Sequence, residues 1–238
     1  MDRNGPIAGS LLRLNDNYRL IVAPPDGSAY YGIRSSQLYR IDPAVSAATR
    51  MVISGGGITD MGAYAATYDT KRDRIIVSSL ISEGHLMAYS RVANEWNLMA
   101  VLNGADLRAM VYRPADDILY GLRSGSGREF YKYSANGSLL GTLTLQKAIP
   151  FTQGTDSLDL QILMASDGQF AVIRPGYVPD PTGALTVPGV WLDLINPDTG
   201  AITYEGPLPI TVPEPGIAGV LILAVIMLRQ RANHVALT

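Results

Sequence analysis

Tyr31-Gly32-Ile33-Arg34-Ser35-Ser36 returns further along the chain as Tyr120-Gly121-Leu122-Arg123-Ser124-Gly125. Each copy leads into an aromatic stretch with period-two alternation, Leu38-Tyr39-Arg40-Ile41-Asp42 in the first and Phe130-Tyr131-Lys132-Tyr133-Ser134 in the second. Such alternation is the pattern of a half-buried β-strand. A weaker copy lies between them, Arg74-Ile75-Ile76-Val77-Ser78-Ser79 followed by Leu86-Met87-Ala88-Tyr89-Ser90. The lead-ins correspond too: Tyr68-Asp69-Thr70-Lys71-Arg72-Asp73 parallels Tyr112-Arg113-Pro114-Ala115-Asp116-Asp117. A fourth unit starts at Ser166-Asp167-Gly168, passes through Phe170 to Ile173, and ends at Val190-Trp191-Leu192-Asp193-Leu194.

Each unit follows one physical scheme. A turn (Pro24-Pro25-Asp26-Gly27, Pro114-Ala115-Asp116-Asp117) leads into an apolar strand, and a Ser/Gly loop precedes an alternating strand. A tight turn such as Asn136-Gly137 or Asn196-Pro197-Asp198-Thr199-Gly200 then reverses the chain. Asn-Gly supplies the positive φ angles of a short hairpin. Leu139-Leu140-Gly141-Thr142-Leu143 or Ala201-Ile202-Thr203-Tyr204 closes the unit. A repeat of about 44 residues is the period of four-stranded propeller blades. The expected fold is all-β, a propeller-like array of about four four-stranded blades over residues 1–206. The pattern resembles the repeats of bacterial β-propellers. Gly9-Ser10-Leu11-Leu12-Arg13-Leu14 looks like Gly137-Ser138-Leu139-Leu140, either an outer strand that pairs with the last blade or the remnant of a lost one. The stretch Pro175 to Pro188 is expected to be a surface loop.

Composition narrows the function classes. Of 238 residues, 21 are acidic and 19 basic, a net charge of −2 that argues against a nucleic-acid binder. Gly 24, Pro 15 and Tyr 13 favour short strands and turns. With no cysteine, disulfides, thiolate catalysis and Cys-based zinc or iron–sulfur sites are excluded. His85 and His234 are the two histidines, so a metal site built on several histidines is excluded as well. No metal and no cofactor is expected.

The C-terminus has another character. Residues 207–215 form a Pro-rich linker, and Gly216 to Leu228 carries no polar or charged side chain before Arg229, Gln230 and Arg231. At 1.5 Å per residue a helix of this run falls short of the roughly 30 Å hydrocarbon core, and snorkelling arginines shorten the gap. The expectation is one transmembrane helix with a basic cytoplasmic tail over residues 216–238, the arginines inside and the body across the membrane. The bland alternative is a buried core segment. Val212, Pro213, Glu214 and Pro215, then the apolar run, then Arg229 and Arg231, resemble the PEP-CTERM sorting signal. That resemblance implies an exported protein handled by an exosortase, a membrane transpeptidase that is its expected partner, with Arg229 and Arg231 stopping transfer. It covers only the end of the chain, and its span is short and its basic cluster thin. The resemblance also implies display at the cell surface or release, and a link to exopolysaccharide. Met1 to Gly9 shows no signal peptide, so the sequence is expected to begin downstream of its true start.

Asp116-Asp117 reads as a turn pair, and Asp69, Asp73, Asp167, Asp193 and Asp198 are also expected in turns, with no calcium-loop spacing. Gly55-Gly56-Gly57 precedes neither lysine nor helix and reads as an inter-blade loop; His85 reads as a loop contact. Ser35, Ser78 and Ser124 are matched as equivalents, a recurrence that favours a structural role. Arg34 and Arg123, with Arg174 as a third copy, either line the axis and contact an anion or acidic sugar, or satisfy strand-end carbonyls. Trp96 and Trp191 are either sugar-stacking platforms or packing residues. The expected ligand contacts are thus Arg34, Arg123 and Trp191; no catalytic residue is identified. The leading reading is a non-catalytic exported module that binds extracellular polysaccharide or protein. The alternative is a propeller hydrolase or lyase acting on glycans or lactones, which would gather carboxylates around the axis.

Overall fold

The structure, a computed structural model, describes residues 20–24, 27–34, 37–42, 47–51, 63–79, 84–103, 107–123, 127–149, 160–179 and 186–207. They form four antiparallel four-stranded sheets, each from one continuous stretch of chain with its strands in sequence order. Blade A holds β1 (Leu20–Val22), β2 (Tyr30–Arg34), β3 (Gln37–Asp42) and β4 (Ala47–Arg50). Blade B holds β5 (Ala63–Asp69), β6 (Arg74–Ser79), β7 (His85–Ser90) and β8 (Glu95–Val101). Blade C holds β9 (Leu107–Arg113), β10 (Ile118–Arg123), β11 (Glu129–Ser134) and β12 (Leu139–Thr144). Blade D holds β13 (Gln161–Met164), β14 (Phe170–Pro179), β15 (Thr186–Ile195) and β16 (Ile202–Pro207). The chain has a four-bladed β-propeller-like fold.

The first strand of each blade is innermost: β1 packs on β5, β5 on β9, and β9 on β13. The backbone N–H of Tyr112 also donates to Thr67 Oγ1 across the B–C junction at 3.1 Å. Apolar side chains that alternate along each strand fill the junctions between blade faces. Tyr31, Ile33 and Leu38 meet Ile75, Val77 and Tyr89 between A and B. Ile76 and Leu86 meet Leu107, Leu119 and Tyr133 between B and C. Tyr120, Leu122 and Phe130 meet Phe170, Val172 and Ile195 between C and D, with Tyr120 and Phe130 against the Phe170 ring at centroid distances of 4.8 and 5.6 Å.

Three sequence expectations are corrected. The units read from sequence contain strands two, three and four; the innermost strand of each blade lies ahead of the unit, and the lead-ins at Tyr68 and Tyr112 hold only its end. Ala63-Tyr64-Ala65-Ala66-Thr67 and Leu107 to Tyr112 are packed on two sides, so period-two alternation is weak in them. The serine match fails for Ser78. Tyr68 pairs with Ile75 and Tyr112 with Leu119, while Ala65 pairs with Ser78 and Ala109 with Leu122. Ser78 is therefore the counterpart of Leu122, not of Ser124, and the lead-in match of Tyr68 with Tyr112 is the one that holds. Finally, the stretch from Pro175 is not a loop: β14 and β15 stay paired from Phe170↔Ile195 out to Pro179↔Thr186. Beyond Ile173 and Trp191 this hairpin has no flanking strand among the described residues, because the described parts of β13 and β16 end there. Each strand of the resulting ribbon has an open edge, where a proline without an N–H is tolerated.

Several expectations lie outside the described residues: the segment Gly9 to Leu14, Gly55 to Gly57, the sorting motif Val212 to Pro215, the apolar run, and Arg229 and Arg231. Among the described residues no helix is long and apolar enough to cross a membrane.

Candidate functional site

The antiparallel order gives the array two unlike ends. The turn end carries the connections between first and second and between third and fourth strands. The loop end carries the connections between second and third strands and from blade to blade.

At the turn end, positive φ recurs within three residues of the start of each second strand, at Gly27 (62°), Asp73 (49°), Asp117 (61°) and Gly168 (83°). Asp tolerates this region better than most side chains, since its carboxylate bonds locally. Here the carboxylates serve as latches. Tyr68 donates its hydroxyl to Asp73, and Tyr112 donates to Asp117 at 2.5 Å. Asn94, at φ 54°, accepts from Tyr89 at 2.9 Å in the same five-residue spacing. Burial, then the Asp73 bond, pushes the Tyr68 phenol up to about 12.

Guanidinium groups then join one blade to the next. Arg72 of blade B forks onto both Asp117 oxygens of blade C, each at 2.7 Å, and Arg113 of blade C reaches Asp198 of blade D at 2.6 Å. Arg91 binds Asp73 at 2.8 Å and lies 5.7 Å from the Tyr31 ring of blade A. The Arg72 bond holds the Asp117 carboxyl far below the usual carboxylate range, and Arg113 likewise lowers Asp198. Asp69 is fully buried and accepts from Arg74 Nε at 2.8 Å and from the backbone of Lys71 and Arg72. Asp69 closes β5 and Asp193 lies within β15, so neither is the turn residue it was expected to be. The other five named aspartates do lie in turns. Asp117 and Asp198 join one blade to the next, while Asp69, Asp73, Asp116 and Asp167 bond within their own blade.

The loop end differs. Arg34, Arg123 and Arg174 each directly follow an apolar residue of a second strand, namely Ile33, Leu122 and Ile173. Arg123 is exposed; its Nη1 donates to Tyr131 Oη at 2.8 Å, with the guanidinium 5.6 Å from the same ring. Among the described residues no carboxylate pairs with it. On the innermost strands, Arg108 of β9 lies 4.6 Å from the Tyr64 ring of β5. Arg174 is 9% exposed and is neutralised internally by Asp193 at 2.8 Å, beside the Trp191 ring at 5.2 Å. Glu205 completes that cluster, 3.6 Å from Arg174 and 2.7 Å from Lys147 Nζ. Arg34 closes β2 opposite Gln37; its side chain is outside the described set.

The structure thus separates the three expected contacts. Arg123 is outward and charged, Trp191 belongs to an internal cluster, and Arg108 with Tyr64 was missed. The missed pair had no repeat to mark it, because it sits on the inner strands that went unread. Trp96 packs on Tyr89 at 5.4 Å in the A–B core. His85 begins β7 opposite Ser79 and is not a loop residue. Asp193 and Glu205 are cross-strand neighbours on the outer half of blade D, each held by a cation, and not an axial pair. Among the described residues no three His, Cys, Asp or Glu side chains could hold a metal ion.

No family model matches the chain and no curated protein matches it, so the tail's PEP-CTERM resemblance rests on its own residues. Solved structures do match. An auxiliary nutrient binding protein from Bacteroides ovatus ATCC 8483 is similar at 15% identity and TM-score 0.51, over 84% of this chain and 44% of that one. A protein of unknown function from Bacteroides caccae is similar at 11% identity and TM-score 0.47, over 78% of this chain and 58% of that one. This chain therefore spans less than two thirds of either. The first likeness concerns the fold alone.

Proposed function

We propose that this chain is a non-catalytic binding module that engages an extracellular ligand through the loop end of its blades. The observation that carries this reading is the contrast between the ends. Turn-end arginines are neutralised by aspartates, whereas Arg123 is exposed on a phenol ring and has no carboxylate partner among the described residues. A charged, ring-supported guanidinium at the surface is a recognition group rather than a staple. The fold-level likeness to a nutrient binding protein agrees with binding, and the tail's residues support export and membrane anchoring through an exosortase.

The test is binding of the full-length chain in detergent to a panel of neutral and acidic oligosaccharides and to envelope proteins, with product analysis on the same samples. Saturable binding without turnover, lost on Arg123→Ala and retained on Arg128→Ala, is the expected result. Release of cleaved glycan or opened lactone would establish the hydrolase or lyase reading instead. For sorting, deletion of residues 212–238 is expected to change the location of the body in an exosortase-positive host. An unchanged location would remove that part of the proposal.

A further inference from the structure

The β14–β15 hairpin outruns the rest of blade D. Past Arg174↔Trp191 it keeps five further pairs, from Pro175↔Val190 to Pro179↔Thr186, a ribbon of about 17 Å at 3.3 Å per residue. In blade C, by contrast, β10 closes at Arg123 while still flanked by Leu107 of β9. The ribbon also differs from its own root in chemistry. The last charges on its two strands are Arg174 and Asp193, which neutralise each other at 2.8 Å. Residues 175–179 and 186–190 then hold no charged side chain, in a chain where 17% of residues are charged.

The prolines fall on a single phase of this ladder. Pro175 and Pro179 lie on one strand, and Pro188 lies on the other, opposite Tyr177. A proline cannot serve in a pair that exchanges two N–H···O bonds, so this is the phase whose N–H groups point away from the partner strand. Of its six residues, 175, 177, 179, 186, 188 and 190, three are therefore without a donor. Both edges of the ribbon are poor templates for an added strand. With no charge either, the ribbon suits neither a strand-forming peptide nor an electrostatic partner. It suits a surface that takes up apolar groups and asks for few hydrogen bonds.

The way the chain leaves the body says which surface. The described part of β16 ends at Pro207 opposite Trp191, and the next residue of β15 toward the ribbon is Val190, at its root. Residues 208–215 reach at most about 28 Å before the apolar run begins at Gly216. With that run in a bilayer, the ribbon root stays within that distance of the lipid surface. Hydrocarbon excludes open strand edges, so the remaining outward N–H groups limit the ribbon to the headgroup layer, where water still reaches them and where tyrosine is enriched.

We infer that the β14–β15 ribbon, residues 175–179 and 186–190, is a membrane-contact element that rests in the lipid headgroup layer beside the anchored tail. That role rests on the anchoring reading above. Ribbon and tail together give the body two points of contact, which fix its orientation on the surface where a single tether leaves it free to swing.

The chain contains no cysteine, so one substitution gives one labelling site. The experiment places a nitrobenzoxadiazole label on Val178→Cys in the ribbon, on Val92→Cys at the turn end, where Val92 is 86% exposed, and on Ile222→Cys in the apolar run. Each full-length variant is reconstituted in phosphatidylcholine vesicles carrying a doxyl quencher either near the headgroup or deep in the acyl chain. The Val178 label is expected to shift its emission to the blue and to be quenched more by the shallow doxyl than by the deep one. Val187→Cys, opposite Val178, is expected to report the same depth, so a local defect at one substitution does not settle the result. The Val92 label is expected to emit as in water, and the Ile222 label to be quenched by the deep doxyl. A water-like or unquenched ribbon label, with Ile222 in the bilayer, overturns the ribbon contact and leaves anchoring standing. An equal shift at Val92 means general adsorption of the body and overturns it too. An Ile222 label outside the bilayer overturns anchoring and the ribbon contact together.

Discussion

Gly200, at φ 72°, lies so close to the carbonyl of Thr144 that a β-carbon has no room, and its own carbonyl accepts from Gln146 at 3.1 Å. Gly27, at φ 62°, has nothing within 4 Å of the same point. Gly27→Ala should cost about 1 kcal/mol for the left-handed backbone alone. Gly200→Ala should cost about 3 kcal/mol, because backbone from blade C must move as well. Urea melts of the two variants check the contrast. Ser78 supplies the opposite case. Its hydroxyl is fully buried and has no hydrogen-bond partner among the described residues, in the position that blade C fills with Leu122. Ser78→Ala removes an unsatisfied polar group and is expected to raise stability by about 1 kcal/mol, read as a higher urea midpoint. The sequence showed Ser78 as one of a recurring set; only strand register reveals that it faces a core.

The latched turns make stability depend on pH at both extremes. Asp117, Asp167 and Asp198 are held below the ordinary carboxylate range by Arg72, by Gln169 and by Arg113 respectively. Their contribution is complete above the unfolded value of about 4 and is lost as pH falls below it, since the unfolded chain binds protons first. Tyr68, Tyr120 and Tyr133 are pushed up to about 12, mainly by burial. Their contribution is complete below the unfolded value of about 10 and is lost between about 10 and 12. A urea midpoint measured against pH should therefore fall on both sides of a plateau, and Asp117→Asn should flatten the acid limb while leaving the alkaline one. At this scale strands with one wet face, such as Phe130 to Ser134, were legible because alternation marks them. The inner strands were not, because packing on both faces erases the period. The ribbon from Pro175 was missed because proline argues against a ladder, and the ladder there has open edges.

Across the whole array, stability resides in the junctions rather than in any single sheet. Blade D covers Tyr120, Leu122 and Phe130 of blade C, so deleting residues 161–207 leaves that apolar face bare. The shortened chain is expected to aggregate or to bind a hydrophobic dye strongly, rather than to fold as three sound blades. A soluble, dye-silent, cooperatively melting product would show that the junctions are less coupled than the packing implies. The blade period was visible in sequence because the same turn chemistry recurs in each unit. The loop-end site was visible only in part: Arg123 lies in the repeat, while Arg108 and Tyr64 meet solely because two inner strands are neighbours.

The placement of β16 has a mechanical meaning. It is the outermost strand of its sheet, and among the described residues it pairs only with β15, ending at Pro207. A load applied through the tail at residue 208 would reach Pro207↔Trp191 first and then each pair in turn, opening the ladder like a zipper. Ladders pulled in this way yield at far lower force than ladders sheared along their length. A body tethered by its tail in flowing medium would therefore shed its last strand well before its junctions fail, with β16 acting as a mechanical fuse.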